Sequence, residues 1–204
     1  FGVWLKRAGY DLLIIEGRAE KFSYLYLDED GVHFMDAEEL RGTDPRRLQI
    51  ILKKKHGSNT QTAGIGSAGE KLLRYAVITA GERTASRGGM GTIMGAKNLK
   101  AVCINVPAHK PEPADRSALE NLAAKQVQIL KQHPRYRNMN TLGTPYITTV
   151  VHDLGILPVR NFQKGRLADI RELNGEEFLK LKKAKAGCYH CMTRCGGMRD
   201  VTDG

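Results

Sequence analysis

Three of the chain's four cysteines fall within eight residues, in the run Gly187-Cys188-Tyr189-His190-Cys191-Met192-Thr193-Arg194-Cys195-Gly196-Gly197. C-x2-C-x3-C spacing wraps a short loop around one ligand centre, and this requirement constrains the fold more than any other feature. Thiolate is the soft ligand of iron–sulfur clusters, which normally take four per cluster. The remaining cysteine, Cys103, lies far upstream in the strand-like run Leu99-Lys100-Ala101-Val102-Cys103-Ile104-Asn105-Val106. The spacing suits a cluster better than zinc. A zinc site would use Cys188, Cys191, Cys195 and His190, and His190 sits inside the C-x2-C turn, poorly placed to reach the same ion. A thioredoxin-like pair is disfavoured by the third thiol and by the expected absence of a strand immediately before it.

Net charge and termini narrow the class. With Lys+Arg 32 against Asp+Glu 22, the 204-residue chain carries +10, compatible with nucleic acid, an anionic cofactor or an acidic protein partner. The basic residues are scattered rather than striped and the aromatics fall on apparent core strands, which argues against nucleic acid. No apolar stretch approaches the roughly 18–20 residues of a membrane span. Phe1-Gly2-Val3-Trp4-Leu5-Lys6 holds neither an initiator Met nor a signal pattern, so clustered thiols read as metal ligands in a reducing cytoplasm. The chain stops directly after the thiols, and the expectation is a piece of a longer protein.

Periodicity places the elements. Residues 10–17, with Leu12-Leu13-Ile14-Ile15, read as a buried strand; 22–27 and 32–35 read as a hairpin turning at Asp28-Glu29-Asp30-Gly31. Asp36 with Glu39 resembles a capping box. Asp44-Pro45 opens a helix with Leu48, Ile51 and Leu52 on one face and Gly57 at its end. Residues 75–79 and 99–106 read as further strands. Residues 107–113 read as a linker, after which Ser117 with Glu120 caps an amphipathic helix that stops before Pro134. Asn174 with Glu177 caps another, running into lysines at 180–185 that form a solvated helix face. The fold class is α+β, an α/β part over 1–107 and a mostly helical part over 108–204.

A second motif joins two arginines to glycines: Arg83-Thr84-Ala85-Ser86-Arg87-Gly88-Gly89-Met90-Gly91, then Gly95. Glycines let main-chain N–H groups approach an anion, and arginines bind phosphate bidentately. The order is neither Walker A nor G-x-G-x-x-G, so a tight turn with surface arginines is an equal reading. Gly64, Gly66 and Gly69 read as turn glycines. Leu157-Pro158-Val159-Arg160-Asn161-Phe162 reads as a Pro-fixed structural loop with one buried aromatic.

Together and in this order, the segments resemble the aldehyde:ferredoxin oxidoreductase family of tungsten-containing (sometimes molybdenum) bis-pterin enzymes. The matching stretches are Leu5-Lys6-Arg7-Ala8-Gly9-Tyr10-Asp11 with Ile14-Ile15-Glu16-Gly17-Arg18-Ala19, and Ile65-Gly66-Ser67-Ala68-Gly69-Glu70. They continue with Ser86-Arg87-Gly88-Gly89-Met90-Gly91, Met94-Gly95-Ala96-Lys97-Asn98-Leu99-Lys100-Ala101, the 157–162 loop and the thiol run. Ser86 departs from the glycine that relatives commonly carry.

The resemblance implies that 1–107 is the C-terminal half of a β-rich, pterin-cradling N-terminal domain. Residues 108–204 would begin a helical, cluster-binding domain. It further implies that Cys188, Cys191 and Cys195 ligate a [4Fe–4S] cluster whose fourth cysteine, like the catalytic acid/base, lies outside this chain. Arg83, Thr84, Ala85, Ser86, Arg87, Gly88, Gly89 and Gly91 would meet the phosphates of a tungsten (or molybdenum) bis-pterin and their bridging magnesium. The implied activity is oxidation of an aldehyde to its carboxylic acid, with electrons passing to ferredoxin or another iron–sulfur carrier; a homodimer or accessory electron-transfer subunits are compatible with it. An aromatic acyl-CoA reductase on the same scaffold and a non-catalytic zinc- or cluster-bearing module remain open.

Overall fold

The apolar run Leu99–Ile104 is buried along its whole length in the computed structural model, which describes residues 1–106 and 111–199. The chain divides into two units, Phe1–Glu112 and Pro113–Gly204. The first contains α1 (Gly2–Arg7), β1 (Ser23–Asp28), β2 (Gly31–Asp36), α2 (Pro45–His56), β3 (Gln61–Gly64) and α3 (Ser67–Glu70). It continues with β4 (Ile78–Ala80), β5 (Arg83–Ala85), α4 (Met90–Ala96) and β6 (Leu99–Ile104). The strands form one six-stranded sheet in the order β2-β1-β6-β3-β4-β5. Only the β1–β6 pairing is parallel.

Alternation explains the two faces. Tyr24, Ala101 and Cys103 point to one side, where they meet Leu48 and Leu52 of α2. Leu25, Leu27, Val102 and Ile104 point to the other, meeting Ile65, Met94 and the half-buried Trp4, Leu5, Leu13 and Ile15. A central strand covered on both faces needs no polar alternation, which is why β6 is apolar from Ala101 to Ile104. Helix α2 begins as its sequence requires: the Asp44 carboxylate accepts from the Arg46 and Arg47 N–H groups, Pro45 sits at the first turn, and Gly57 follows at φ 103°.

Several expectations change. Residues 10–17 form no strand; Leu13 and Ile15 reach the sheet while Leu12 and Ile14 are 70% and 72% exposed. An extended segment can alternate its side chains without any ladder. The strand expected at 75–79 is only Ile78–Ala80, and Tyr75 is exposed. At 36–39 the capping box is replaced by a 3-10 turn, Glu38–Leu40, with Asp36 accepting from the Glu38 N–H at 2.8 Å.

The second unit holds α5 (Arg116–Gln132), α6 (Pro134–Thr141), α7 (Tyr146–Asp153), α8 (Gly175–Lys180), and the hairpin of β7 (Lys182–Ala186) with β8 (Gly196–Arg199). Asp115, not Ser117 with Glu120, caps α5, accepting from the Ala118 N–H at 2.9 Å. Asn174 caps α8 as expected. Of the lysines expected on a helix face, Lys180 ends α8 as expected, whereas Lys182, Lys183 and Lys185 lie on β7, where a glycine-rich partner strand returns beside them. No helix among the described residues is long and apolar enough to cross a membrane. Of the expected linker, 107–110 lie outside the described residues, as do the chain's last five positions, 200–204.

Candidate metal and cofactor sites

The three clustered thiols lie on the connection between β7 and β8. Two residues there, His190 and Arg194, adopt positive φ (51° and 44°), and the Cys191 N–H donates to the Cys188 carbonyl at 3.1 Å. The chain thus turns tightly between the first two thiols, as C-x2-C spacing requires. Cys188 is exposed, Cys191 and Cys195 are half-buried, and none is in a disulfide. Contrary to the sequence expectation, a strand does directly precede the loop; the chain then returns as β8 without forming a helix, unlike a thioredoxin-type site.

As folded, the loop supplies donors without a closed coordination sphere: no three His, Cys, Asp or Glu side chains converge on one point among the described residues. The zinc set is therefore not gathered either, and His190 instead sets its ring edge-on to Tyr189, centroids 4.3 Å apart. The donor chemistry, three soft thiols outside any disulfide on one loop away from the hydrophobic core, fits an iron–sulfur centre. Cys103 is excluded from that set. It is fully buried beside Thr62, and burial pushes its thiol up to about 11.

The loop is held by α6 and the turn after it. Asn140 donates to the Thr193 carbonyl at 3.0 Å and the Thr144 N–H to the Cys195 carbonyl at 3.3 Å. A Cβ at Gly143, φ +77°, would collide with that same Cys195 oxygen. None of these residues was singled out by sequence; short polar residues at and just after a helix end carry no pattern that distinguishes a clasp from a cap.

The arginine–glycine segment begins as an edge strand rather than a loop. Strand β5 pairs Arg83 with Ala80, Thr84 with Thr79 and Ala85 with Ile78. Residues 83–88 are all exposed, and neither the Arg83 nor the Arg87 guanidinium has a side-chain partner among the described residues. Arg83, Thr84 and Ala85 line a groove of about 530 Å³ whose other walls include Leu13, Ile78, Leu99 and Val102.

The glycines serve packing. Gly89 is buried at φ +68°, and a Cβ there would lie 2.6 Å from the Arg74 carbonyl oxygen. At Gly91 it would lie 2.6 Å from the Val77 oxygen, and at Gly95 it would collide with Gly69. Gly69 is therefore a contact glycine as well as a turn glycine. Together they press α4 against the 69–77 backbone and present 83–88 outward. Free guanidinium groups on an exposed strand and turn fit phosphate oxygens.

Residues 1–106 match the family model for the aldehyde ferredoxin oxidoreductase N-terminal domain, and residues 121–204 match that for domains 2 and 3 of the same enzyme. The chain belongs to the aldehyde ferredoxin oxidoreductase family. The tungsten-containing aldehyde ferredoxin oxidoreductase of Pyrococcus furiosus is 34% identical over 200 residues, 96% of this chain and 33% of that protein. Its Pyrococcus abyssi counterpart is 35% identical, with the same coverage. A Pyrococcus furiosus aliphatic sulfonate oxidoreductase, WOR-like subunit, is 32% identical over 95% of this chain and 33% of its own.

Among solved structures, the active-site complex BamBC of benzoyl coenzyme A reductase with 1,5-dienoyl-CoA superposes with a TM-score of 0.73. It is 29% identical, covering 98% of this chain and 32% of that one. The chain spans about a third of the length of the relatives it matches.

One family-like segment departs from its expected form. The 157–162 loop does not bury its aromatic: Phe162 is 84% exposed. Arg160, Asn161 and Phe162 all adopt left-handed φ (51°, 54° and 66°), in a tight reversal closed by the Val159–Lys164 bridge. Three consecutive non-glycine residues in that region are unfavourable.

Proposed function

We propose that this chain is part of a tungstopterin (or molybdopterin) iron–sulfur oxidoreductase that oxidises aldehydes to carboxylic acids. In this reading, residues 1–107 are the C-terminal half of the pterin-binding N-terminal domain and 108–204 begin the helical, cluster-binding domain. The observation that carries it is the set of three thiols outside any disulfide, Cys188, Cys191 and Cys195, on one hairpin loop of a chain whose two halves match this family.

When bound, the pterin-held metal would supply the two-electron oxidation and the cluster a one-electron outlet to ferredoxin or a similar carrier. The chain's own residues bind and orient. Arg83 and Arg87 would hold the pterin phosphates and offset their charge, with magnesium as the further counter-ion. The exposed Thr84, Ala85, Ser86 and Gly88 allow close main-chain approach, and Gly89 and Gly91 fix the segment on α4. Cys188, Cys191 and Cys195 would ligate the cluster, the fourth ligand coming from elsewhere in the full-length protein. A cytoplasmic setting suits free thiols.

A second reading, aromatic acyl-CoA reduction, is favoured by the 0.73 TM-score to the benzoyl-CoA reductase complex. Assaying the anaerobic full-length protein separates the two. Aldehyde-dependent ferredoxin reduction supports the first, whereas turnover confined to an aromatic acyl-CoA favours the second. For the arginine segment, Arg87→Ala is expected to lower pterin retention while iron content stays near wild type, read by pterin fluorescence and iron analysis. Unchanged pterin would remove Arg87 from the site.

A further inference from the structure

We infer that Asn140 is a positioning residue of the thiol loop, an inference that rests on the cluster reading above. Its carboxamide makes contacts at both ends. On one side Lys185 Nζ, which has only donors to offer, approaches Oδ1 at 2.5 Å and so fixes which end of the amide is oxygen. Nδ2 is thereby turned to the peptide between the second and third cysteines, donating to the Thr193 carbonyl at 3.0 Å with the Met192 carbonyl at 3.4 Å. Arg194, immediately before Cys195, is at φ 44°, a conformation that non-glycine residues adopt only where their neighbours hold them.

Asn140 and Lys185 together tie the end of α6 to β7 and to the Cys191–Cys195 arc. The next turn adds Thr144, whose N–H meets the Cys195 carbonyl. The Asn140 and Thr144 contacts are to backbone carbonyls of the loop. The clasp acts through the ligands' orientation, as outer residues of metal sites do. Two further contacts brace the same arc: the Tyr136 hydroxyl lies 3.5 Å from the Met192 carbonyl, and the Arg194 guanidinium donates to the Lys185 carbonyl at 2.9 Å.

The test uses the anaerobically purified full-length protein. Asn140→Leu removes the donor at nearly constant size, and Asn140→Gln keeps the carboxamide. Release of iron to a ferrous chelator should be about tenfold faster in Asn140→Leu, and within about twofold of wild type in Asn140→Gln. The midpoint potential of the residual cluster should be displaced in the first variant only, while the melting temperature of both stays near wild type. Wild-type iron release and potential in Asn140→Leu would overturn the inference and leave the cluster reading standing. Should wild type hold no iron, the cluster reading fails. Amide hydrogen exchange over 191–195 then decides the clasp, faster exchange in Asn140→Leu supporting it and unchanged exchange overturning it. If Asn140→Leu does not fold, Asn140→Asp takes its place. It keeps the Lys185 contact and cannot donate when ionised, so the same readouts apply.

Discussion

The fully buried Cys103 and the loop cysteines are the same residue type in opposite environments. Burial pushes the Cys103 thiol from 9.0 up to about 11, with the Thr62 hydroxyl and Lys55 opposing that rise more weakly. The neutral thiol is therefore favoured in the fold. The stability it contributes is fully present below pH 9.0 and is lost as pH rises towards about 11. Since the thiolate is the nucleophile, iodoacetamide at pH 8 should label Cys188, Cys191 and Cys195 of metal-free protein and spare Cys103. Peptide mass spectrometry reads this, and equal labelling of Cys103 would contradict its assignment to the core. Sequence alone separated these roles, because an isolated Cys in a β-branched run and three Cys in a glycine-bounded run differ in pattern. It did not reveal Asn140 or Gly143, whose roles exist only once α6 lies beside the loop.

At the scale of elements, one irregularity organises the first unit. Ser23 pairs with Leu99 and Tyr24 with Ala101, so β6 carries Lys100 as an extra residue in a bulge. The bulge re-aims Lys100 into the protein, where Nζ meets the Thr43 carbonyl at 2.8 Å and the Glu70 carboxylate at 2.5 Å. Glu70 in turn accepts from the Gly42 N–H at 2.8 Å. This pair, 0% and 7% exposed, ties α3 to β6 and to the turn before α2. Through Gly69, α3 also supports α4 and the arginine segment.

Lys100→Met should leave the Glu70 charge buried without its partner and cost about 3–5 kcal/mol, whereas adding Glu70→Leu should recover much of that loss. Denaturant unfolding measures both, and a single variant near wild-type stability would contradict the account. From the sequence, β1, β2, α2 and β6 were legible because their periodicity and caps agree. The bulge was not, since a Lys in a strand-like run reads as an exposed position. Nor was β7, whose lysines match a helix face until β8 pairs with them.

Across the whole molecule, hydrophobic burial is uneven. Every fully buried apolar side chain among the described residues lies between Phe22 and Ile104, in the first unit. In the second, α5 buries none of its residues, and Leu119, Leu122 and Ile129 are at least half exposed. A segment with hydrogen-bonded helices and no closed core lacks the burial that normally offsets chain entropy. Residues 113–204 expressed alone should therefore show helical far-ultraviolet dichroism without a cooperative thermal transition. A sharp transition would contradict the reading of these faces. The amphipathic pattern of α5 was legible in the sequence, but its partner surface was not, because a hydrophobic stripe specifies burial without saying against what.

Metal analysis of the anaerobically purified full-length protein tests the central claim most directly, because it asks what the Cys188, Cys191 and Cys195 loop holds. The account predicts about four irons per chain together with tungsten or molybdenum, and loss of iron in Cys191→Ser. Zinc in place of iron would contradict it.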